Sequence, residues 1–380
     1  MDPTASPEDA MGSGFYLAPP HGLPQKIAIS LELDPGRSHL ITGAIGSGKT
    51  TTLLTIQQQL NQTPDIRAFF VDLPTLHRLD QPRPVTLIAA SALAIVRSLD
   101  QMFVESLPPD DRSIPKYIEN LAAGYWDFDS YEVPPDDSPD WVPGHLIKPE
   151  EREDIARLRE LLEKLLAFLP FQTVVLIDGL DRIPNALDFE TMMKEDLPAL
   201  SALKIGIIIV GPPQVWFSPQ KNIRQMFGQC HLHGAIQSTD FLISVLRKRV
   251  GDQILPDRSC ERIANYSGGI LRDLISIART AGEIAYGEGA DIIDESHVQD
   301  AGRRFGESLL LGIDKKQADR LKEFVSKKPY GIHTKELSFP LVAEVDISLL
   351  MGRLLLEVPG TPPRYRPHPT IVPLIPELPS

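Results

Sequence analysis

A run of eight residues, Gly43 to Thr50, has the composition and spacing of a phosphate-binding loop. It reads G-A-I-G-S-G-K-T, in which glycines lead to a lysine and a hydroxyl residue. Glycines without a Cβ let such a loop turn tightly and aim its N–H groups at an anion. The residues expected to hold nucleotide phosphates are Gly43, Ala44, Ile45, Gly46, Ser47, Gly48, Lys49, Thr50 and Thr51.

The last two residues of the loop have separate chemical roles. Lys49 is expected to reach the β- and γ-phosphates, and the Thr50 hydroxyl to ligate Mg²⁺. A strand over His39–Thr42 runs into the loop, and the helix that leaves it adds its positive N-terminal end. The sequence therefore predicts a strand–loop–helix site for ATP with Mg²⁺.

A second nucleotide signature is a carboxylate at the end of a neighbouring strand. Four apolar residues, Val174 to Ile177, precede Asp178, which is predicted to complete the Mg²⁺ shell together with Thr50. Many ATPases place Glu directly after this Asp to orient the attacking water, but here the residue is Gly179.

Asp181 is the nearest carboxylate to Asp178 along the chain that could polarise water. It could equally pair with the adjacent Arg182 or cap the helix that follows. The spacing leaves these roles open.

Two arginines are candidates for contact with the γ-phosphate. Arg272 lies one turn inside a helix that opens at Ser267-Gly268-Gly269, from where it could report hydrolysis as a lid movement. Arg224, on a short helix before the last strand, could act as a finger on the nucleotide of a neighbouring subunit. The alternative for Arg224 is a solvated surface side chain.

The elements that must position these residues alternate between strands and helices. The apolar segments predicted to form the sheet are His39–Thr42, Ile66–Val71, Phe171–Ile177, Ile205–Val210 and Cys230–His233. Residues Ile27–Leu31 also alternate as a strand would. The pattern predicts an α/β fold in which helices flank a doubly wound parallel sheet.

The chain divides into segments of different composition. Residues 1–25 are Pro-rich and predict a flexible lead-in to a core over 26–236, which contains an insertion at about 73–168. Residues 237–310 carry only helical patterns and predict a lid, and residues 311–380 predict a small C-terminal domain. Aromatic residues make part of the insertion an ordered cover or a docking segment: Tyr125, Trp126, Phe128, Tyr131 and Trp141.

Composition and charge limit the function classes. The chain has 380 residues and a formal net charge of −13, which argues against nonspecific coating of nucleic acid. Residues 311–380 alone carry slightly more bases than acids, which permits DNA contact there. No apolar run is long enough to span a bilayer and no signal-peptide pattern is present, so a cytoplasmic protein is expected.

These motifs resemble those of AAA+ and STAND-type P-loop ATPases. Thr42–Thr51 matches Walker A, Val174–Arg182 is similar to Walker B in an I-D-G-L-D-R form, and Tyr266–Leu274 resembles the sensor 2 helix of the lid. The resemblance covers residues 30–310. It implies an ATPase core, a helical lid and a winged-helix-like C-terminal domain, as in archaeal replication initiators and in bacterial ATPases of defence and mobile-element loci. The chain departs from the family at Gly179.

Three functions are compatible with these features. The first is an ATP-hydrolysing switch whose nucleotide state controls homo-oligomerisation or the engagement of a partner protein or DNA. The second is a nucleic-acid-handling ATPase whose C-terminal lysines contact DNA phosphates, namely Lys315, Lys316, Lys322, Lys327 and Lys328. The third is a non-hydrolysing scaffold that uses bound nucleotide for structure, which the lack of Glu after Asp178 favours.

Overall fold

The computed structural model describes the central sheet, the helices around it, the lid and much of the C-terminal domain. The described residues are 14–76, 84–123, 151–183, 186–217, 222–328, 331–334, 337–338, 344–358 and 364–378. The aromatic residues 125–141 of the predicted insertion lie outside these ranges.

A five-stranded parallel sheet forms the centre of the core. Its strands, β1 to β5 in chain order, are Ser38–Thr42, Ile66–Asp72, Gln172–Asp178, Gly206–Val210 and Gln229–Leu232. They are arranged in the order β2-β3-β4-β1-β5, and every neighbouring pair is parallel. The predicted parallel sheet is confirmed, and its carboxyl ends meet at one edge, where ligands of such sheets bind.

Helices precede, connect and follow these strands. In the first part of the chain they are α1 (Leu23–Leu33), α2 (Lys49–Leu60), α3 (Leu73–Leu76), α4 (Thr86–Arg97), α5 (Gln101–Ser106), α6 (Ile114–Ala123), α7 (Glu151–Leu166), α8 (Ala186–Ala202), α9 (Gln214–Phe217) and α10 (Asn222–Gln225). The strand predicted over Ile27–Leu31 is wrong, because α1 covers it. Ile27 and Leu31 are buried one helical turn apart, whereas Ile29 is 54% exposed, and five residues could not separate the two periods.

The two faces of the sheet bury separate clusters of apolar side chains. Helices α1 and α2 cover one face, and α4, α7 and α8 cover the other. Helix α4 lies in the predicted insertion, yet nearly all of its residues are buried. Asp196 of α8 accepts hydrogen bonds from the Val85 and Leu87 N–H groups at 2.5 and 2.6 Å, which caps the buried start of α4. The insertion therefore contributes a helix to the main core.

Beyond the sheet, the chain forms a helical lid and a small C-terminal domain. The lid comprises α11 (Thr239–Arg247), α12 (Asp257–Tyr266), α13 (Leu271–Gly287) and α14 (Glu295–Leu309). The C-terminal domain contains α15 (Lys315–Glu323), β6 (Val325–Lys328), β7 (Gly331–Thr334), β8 (Leu337–Ser338), α16 (Glu344–Met351), β9 (Leu355–Val358) and β10 (Arg364–Pro367). An antiparallel sheet in the order β8-β10-β9 packs on its helices, which gives the predicted winged-helix-like arrangement. None of the described helices is long and apolar enough to cross a membrane.

The C-terminal domain packs on the lid, close to the phosphate-binding loop. Leu356 of β9 shares a buried apolar cluster with Ala44 of the loop. The start of α13 is tied to the same domain, because the fully buried Asp273 pairs with Arg353 and its other oxygen lies 3.4 Å from His368 Nε2. The phosphate-binding loop, the lid and the C-terminal domain are therefore close together in space at the start of α13.

Candidate functional site

The loop between β1 and α2 has the geometry of an anion site. Gly48 precedes α2 with φ of 105°, and no side chain caps the helix. The first N–H groups of any α-helix lack intrahelical acceptors, so those of α2 remain for a ligand at its positive end. The Ser47 hydroxyl is buried and has no hydrogen-bond partner among the described residues. The segment predicted from the sequence thus forms the expected strand–loop–helix unit.

Lys49 uses all of its donors within the protein. Its Nζ donates to the carbonyl oxygens of Gly43 and Ala44 at 2.9 Å each and lies 2.9 Å from Asp181 Oδ2. An ammonium group has only three N–H donors. A phosphate that reaches Lys49 must therefore displace one of these partners.

The two predicted metal residues touch each other. The Thr50 hydroxyl donates to Asp178 Oδ2 at 2.5 Å, and the Gly179 N–H donates to the other carboxylate oxygen at 2.8 Å. Burial raises the pKa of Asp178, against the opposing effects of Thr50, Gly179 and Lys49. A hydroxyl and a carboxylate are hard oxygen donors of the kind that Mg²⁺ prefers, and a cation between them would offset the cost of burying Asp178. The donor set fits Mg²⁺ with further positions left for water and phosphate oxygens.

Gly179 has a structural reason to lack a side chain. Its φ is 92°, and a Cβ there would lie 2.2 Å from Cδ of Pro74. The ring of Pro74, in α3, therefore occupies the space of the glutamate that many ATPases carry at this position.

Asp181 lies in a short 3₁₀ turn, Leu180–Arg182, and pairs with Lys49, a partner that the sequence reasoning did not consider.

Arg272 lies where the lid meets the loop. Its backbone N–H donates to the Gly46 carbonyl at 3.2 Å, and a Cβ on Gly46 would lie 2.8 Å from the Cβ of Arg272. The side chain is exposed, lines the cavity above the loop, and makes no hydrogen bond or ion pair with the described residues. Arg224 lies on α10 away from this cavity, so its predicted role on a neighbouring subunit stays a prediction.

A cavity of about 750 Å³ connects the loop to the lid and to the segment before α1. Beyond the loop residues, its lining includes apolar side chains: Phe15, Leu17, Ile236, Phe241, Val245 and Ile275. Arg249 holds the segment in place, because its guanidinium lies 5.2 Å from the ring centre of Phe15 and donates to the Phe15 carbonyl at 3.3 Å. The Tyr16 hydroxyl is buried without a hydrogen-bond partner among the described residues.

The sequence predicts a flexible lead-in over residues 1–25, but Phe15, Tyr16, Leu17 and Pro19 line this cavity and α1 begins at Leu23. Nothing in the Pro-rich composition of this segment indicates that it lines a cavity. Contacts with Arg249 and the lid, distant in sequence, put it there.

Two further polar residues of the cavity carried no role in the sequence reasoning. Asp72 ends β2 and is the register partner of Asp178, which ends β3. The signal was present, because Ile66–Asp72 repeats the pattern of apolar residues followed by Asp that singled out Asp178. His233 lies beneath the loop, where its Nε2 is 3.0 Å from the Thr52 hydroxyl. Burial and the nearby Lys49 lower its pKa to about 3, so its ring is neutral.

No protein-family model matches the sequence, and the search of curated proteins gave no match. Among solved structures, the Walker-type ATPase PABY2304 of Pyrococcus abyssi is similar at a TM-score of 0.50 and 15% identity, over 95% of this chain and 99% of that chain. The Orc1 protein of Aeropyrum pernix in complex with DNA has a TM-score of 0.47 at 14% identity, over 95% and 93% of the two chains. Cdc6p of Pyrobaculum aerophilum has a TM-score of 0.44 at 14% identity, over 96% of each chain.

At these identities the likeness concerns the fold. The PABY2304 match extends along nearly the whole of both chains, so it includes the core, the lid and the C-terminal domain. The chain therefore shares the overall fold of this Walker-type ATPase, in agreement with the P-loop fold that its motifs predicted.

Proposed function

We propose that this chain, which has the fold of a Walker-type ATPase, binds ATP with Mg²⁺ and hydrolyses it as a conformational switch. The observation that carries the proposal is the convergence of Lys49, Thr50, Asp178 and Arg272 on one cavity at the carboxyl edge of the sheet. Lys49 and Thr50 begin α2, Asp178 ends β3 and Arg272 lies in the lid. Together they match the needs of a triphosphate: a cation for the phosphates, two oxygen ligands for Mg²⁺ and an exposed arginine.

The base of the nucleotide fits the apolar end of the cavity. Phe15, Leu17, Phe241 and Val245 are among its lining residues, and an aromatic base gains from such surfaces. The buried Tyr16 hydroxyl offers a polar group that a base nitrogen or amino group could satisfy. Binding between the segment before α1, the loop and the lid would hold the three parts together.

Arg272 supplies the switch in this proposal. Its backbone is fixed to the loop through Gly46, whereas its guanidinium is exposed in the cavity. A γ-phosphate would give that guanidinium a charge-assisted partner that ADP cannot provide. Since Asp273, the next residue, pairs with Arg353 of the C-terminal domain, a movement at the start of α13 would reach that domain directly.

The test of binding is Lys49→Ala, with Lys164→Ala on the surface of α7 as the control. Loss of a charge-assisted bond to phosphate costs roughly 1.5–3 kcal/mol, so we expect ATP affinity to fall about 10- to 150-fold in equilibrium titrations. Unchanged affinity would refute nucleotide binding at the loop.

Light scattering of the full chain with ATP, with ADP and without nucleotide tests the switch, and an identical mass and shape in all three would refute it.

A second candidate function has one observation in its favour. Pro74 fills the space of the usual water-orienting glutamate beside Gly179, which suits a protein that binds nucleotide for structure without hydrolysis. ATP turnover that Asp178→Ala abolishes would exclude this scaffold.

DNA engagement through residues 311–380 and homo-oligomerisation stay predictions. Lys315 and Lys316 are exposed at the start of α15, and Lys322 lies 3.8 Å from Asp319. If these lysines contact DNA, charge reversal of Lys315 and Lys316 in the full chain should weaken duplex binding and reduce its dependence on salt. Equal binding and equal salt dependence would defeat the prediction.

A further inference from the structure

We propose that Asp72 is the catalytic residue that orients and deprotonates the attacking water. The inference rests on the proposed ATPase function and assigns the role that neither Gly179 nor the sequence motifs fill. Asp72 ends β2, next to the strand that carries Asp178, and the two residues are partners in the parallel register. Neighbouring strands lie about 4.8 Å apart, so both carboxylates rise from the same edge of the sheet.

The Asp72 side chain is available for this role. It is exposed, lines the same cavity as Lys49, Thr50 and Asp178, and makes no hydrogen bond or ion pair with the described residues. Asp181, the other candidate, is engaged by Lys49. Asp178 is engaged too, because both of its oxygens accept hydrogen bonds, from the Thr50 hydroxyl and the Gly179 N–H.

One packing contact links the missing glutamate to the position of Asp72. Pro74 of α3 lies against Gly179, where a Cβ would lie 2.2 Å from its Cδ, and the contact fixes α3 on the turn after β3. The Thr75 hydroxyl donates to the Asp72 carbonyl at 2.7 Å, which fixes the turn between β2 and α3. The contact that excludes a glutamate at residue 179 thus holds the short helix that directly follows the alternative carboxylate.

The reaction requires a group that accepts a hydrogen bond from water opposite the leaving group. The water oxygen forms a bond to the γ-phosphorus while the bond from that phosphorus to the β,γ-bridging oxygen breaks, and this oxygen leaves on ADP with the electron pair. Asp72 takes one proton from the water and releases it to solvent, so the products are ADP, inorganic phosphate and a proton. A positioned general base contributes about 10²- to 10⁴-fold to such a step.

The experiment compares Asp72→Asn with Asp65→Asn in the full chain. Asp65 is an exposed aspartate at the opposite end of β2, so it matches the charge change outside the cavity. We expect Asp72→Asn to lower single-turnover hydrolysis about 100-fold while its equilibrium affinity for MgATP stays within threefold of the wild type. Asp65→Asn should match the wild type in both measurements, and both variants should keep the wild-type melting temperature because both side chains are exposed.

Three results would overturn the assignment. Hydrolysis by Asp72→Asn within threefold of the wild type removes Asp72 from the chemistry. A rise in the Mg²⁺ concentration needed for half-maximal MgATP binding, as large as that of Asp178→Asn, makes Asp72 a metal residue. A wild type that binds ATP without turnover leaves nucleotide binding intact and removes the catalytic role, whereas a wild type that binds no ATP overturns the proposed function itself.

Discussion

Replacement of Asp181 by Asn should tighten nucleotide binding. In the structure, Lys49 Nζ is shared among two loop carbonyls and Asp181, and the two charged side chains are only 5% and 12% exposed. A phosphate must take one of these three places, and the carboxylate is the partner that competes for the same positive charge. An amide in place of this carboxylate would keep the shape of the side chain and remove its charge.

The magnitude follows from the bond that is weakened. Attraction between two unit charges a few ångströms apart is about 1 kcal/mol in water and about 4 kcal/mol near a protein surface. Loss of this attraction therefore lowers the cost of releasing Lys49 by at least about 1.4 kcal/mol, or tenfold in affinity. Removal of a negative charge near the phosphates acts in the same direction. We therefore expect Asp181→Asn to bind both ATP and ADP at least 10-fold more tightly than the wild type.

The assay is a competition titration with a fluorescent nucleotide at fixed Mg²⁺ and salt. Asp188→Asn, on the first turn of α8 and outside the cavity, is the matched control and should bind as the wild type does. Unchanged or weaker binding by Asp181→Asn would refute the view that the Lys49–Asp181 ion pair competes with phosphate for Lys49. Tighter binding of ADP alone would show instead that Asp181 acts on the γ-phosphate.

Two further predictions concern the lid and the C-terminal domain. Arg272→Ala should weaken ATP binding about 10-fold and leave ADP binding within twofold of the wild type. The control Arg279→Ala, two turns along α13, should change neither affinity. Equal losses of ATP and ADP affinity in Arg272→Ala would contradict a contact with the γ-phosphate. Burial raises the pKa of Glu357 to about 7. Between about pH 4.5 and pH 7 the folded chain therefore keeps a proton on Glu357 that the unfolded chain releases. The free energy of unfolding consequently falls as pH rises through this range. Glu357→Gln should therefore stabilise the protein by about 2 kcal/mol more at pH 8 than at pH 5 in denaturant titrations, and an equal effect at both pH values would contradict a neutral Glu357.

The sequence was most informative where local pattern and chemistry coincide. The loop before α2 and the strand that ends in Asp178 combine special residue types with fixed spacing, and both were located to within a few residues. The parallel direction of the strands also followed, because apolar segments separated by helices leave few alternatives to a parallel sheet. The error at Ile27–Leu31 arose because a segment of five residues is too short to distinguish a half-buried helix from a strand.

The remaining features of the site depend on contacts between distant residues. The pairing of Lys49 with Asp181, the fit of Pro74 against Gly179 and the place of Phe15 beside Arg249 each join segments far apart in the chain. No local pattern encodes such neighbours. Asp72 is the exception, because its position at the end of an apolar strand could have been recognised once β2 and β3 were taken as adjacent.

The buried apolar cluster that includes Leu356 and Ala44 has a consequence for how the molecule unfolds. Apolar surface shared by the loop and the C-terminal domain, together with the buried Asp273–Arg353 pair, couples the two parts energetically. We expect a single cooperative melting transition in which amide exchange at β9 and at α2 slows together when ATP is added. A chain cut after residue 310 would remove Leu356 from the cluster around Ala44 and Arg353 from Asp273. We expect such a truncation to weaken nucleotide binding, whether or not the C-terminal domain contacts DNA.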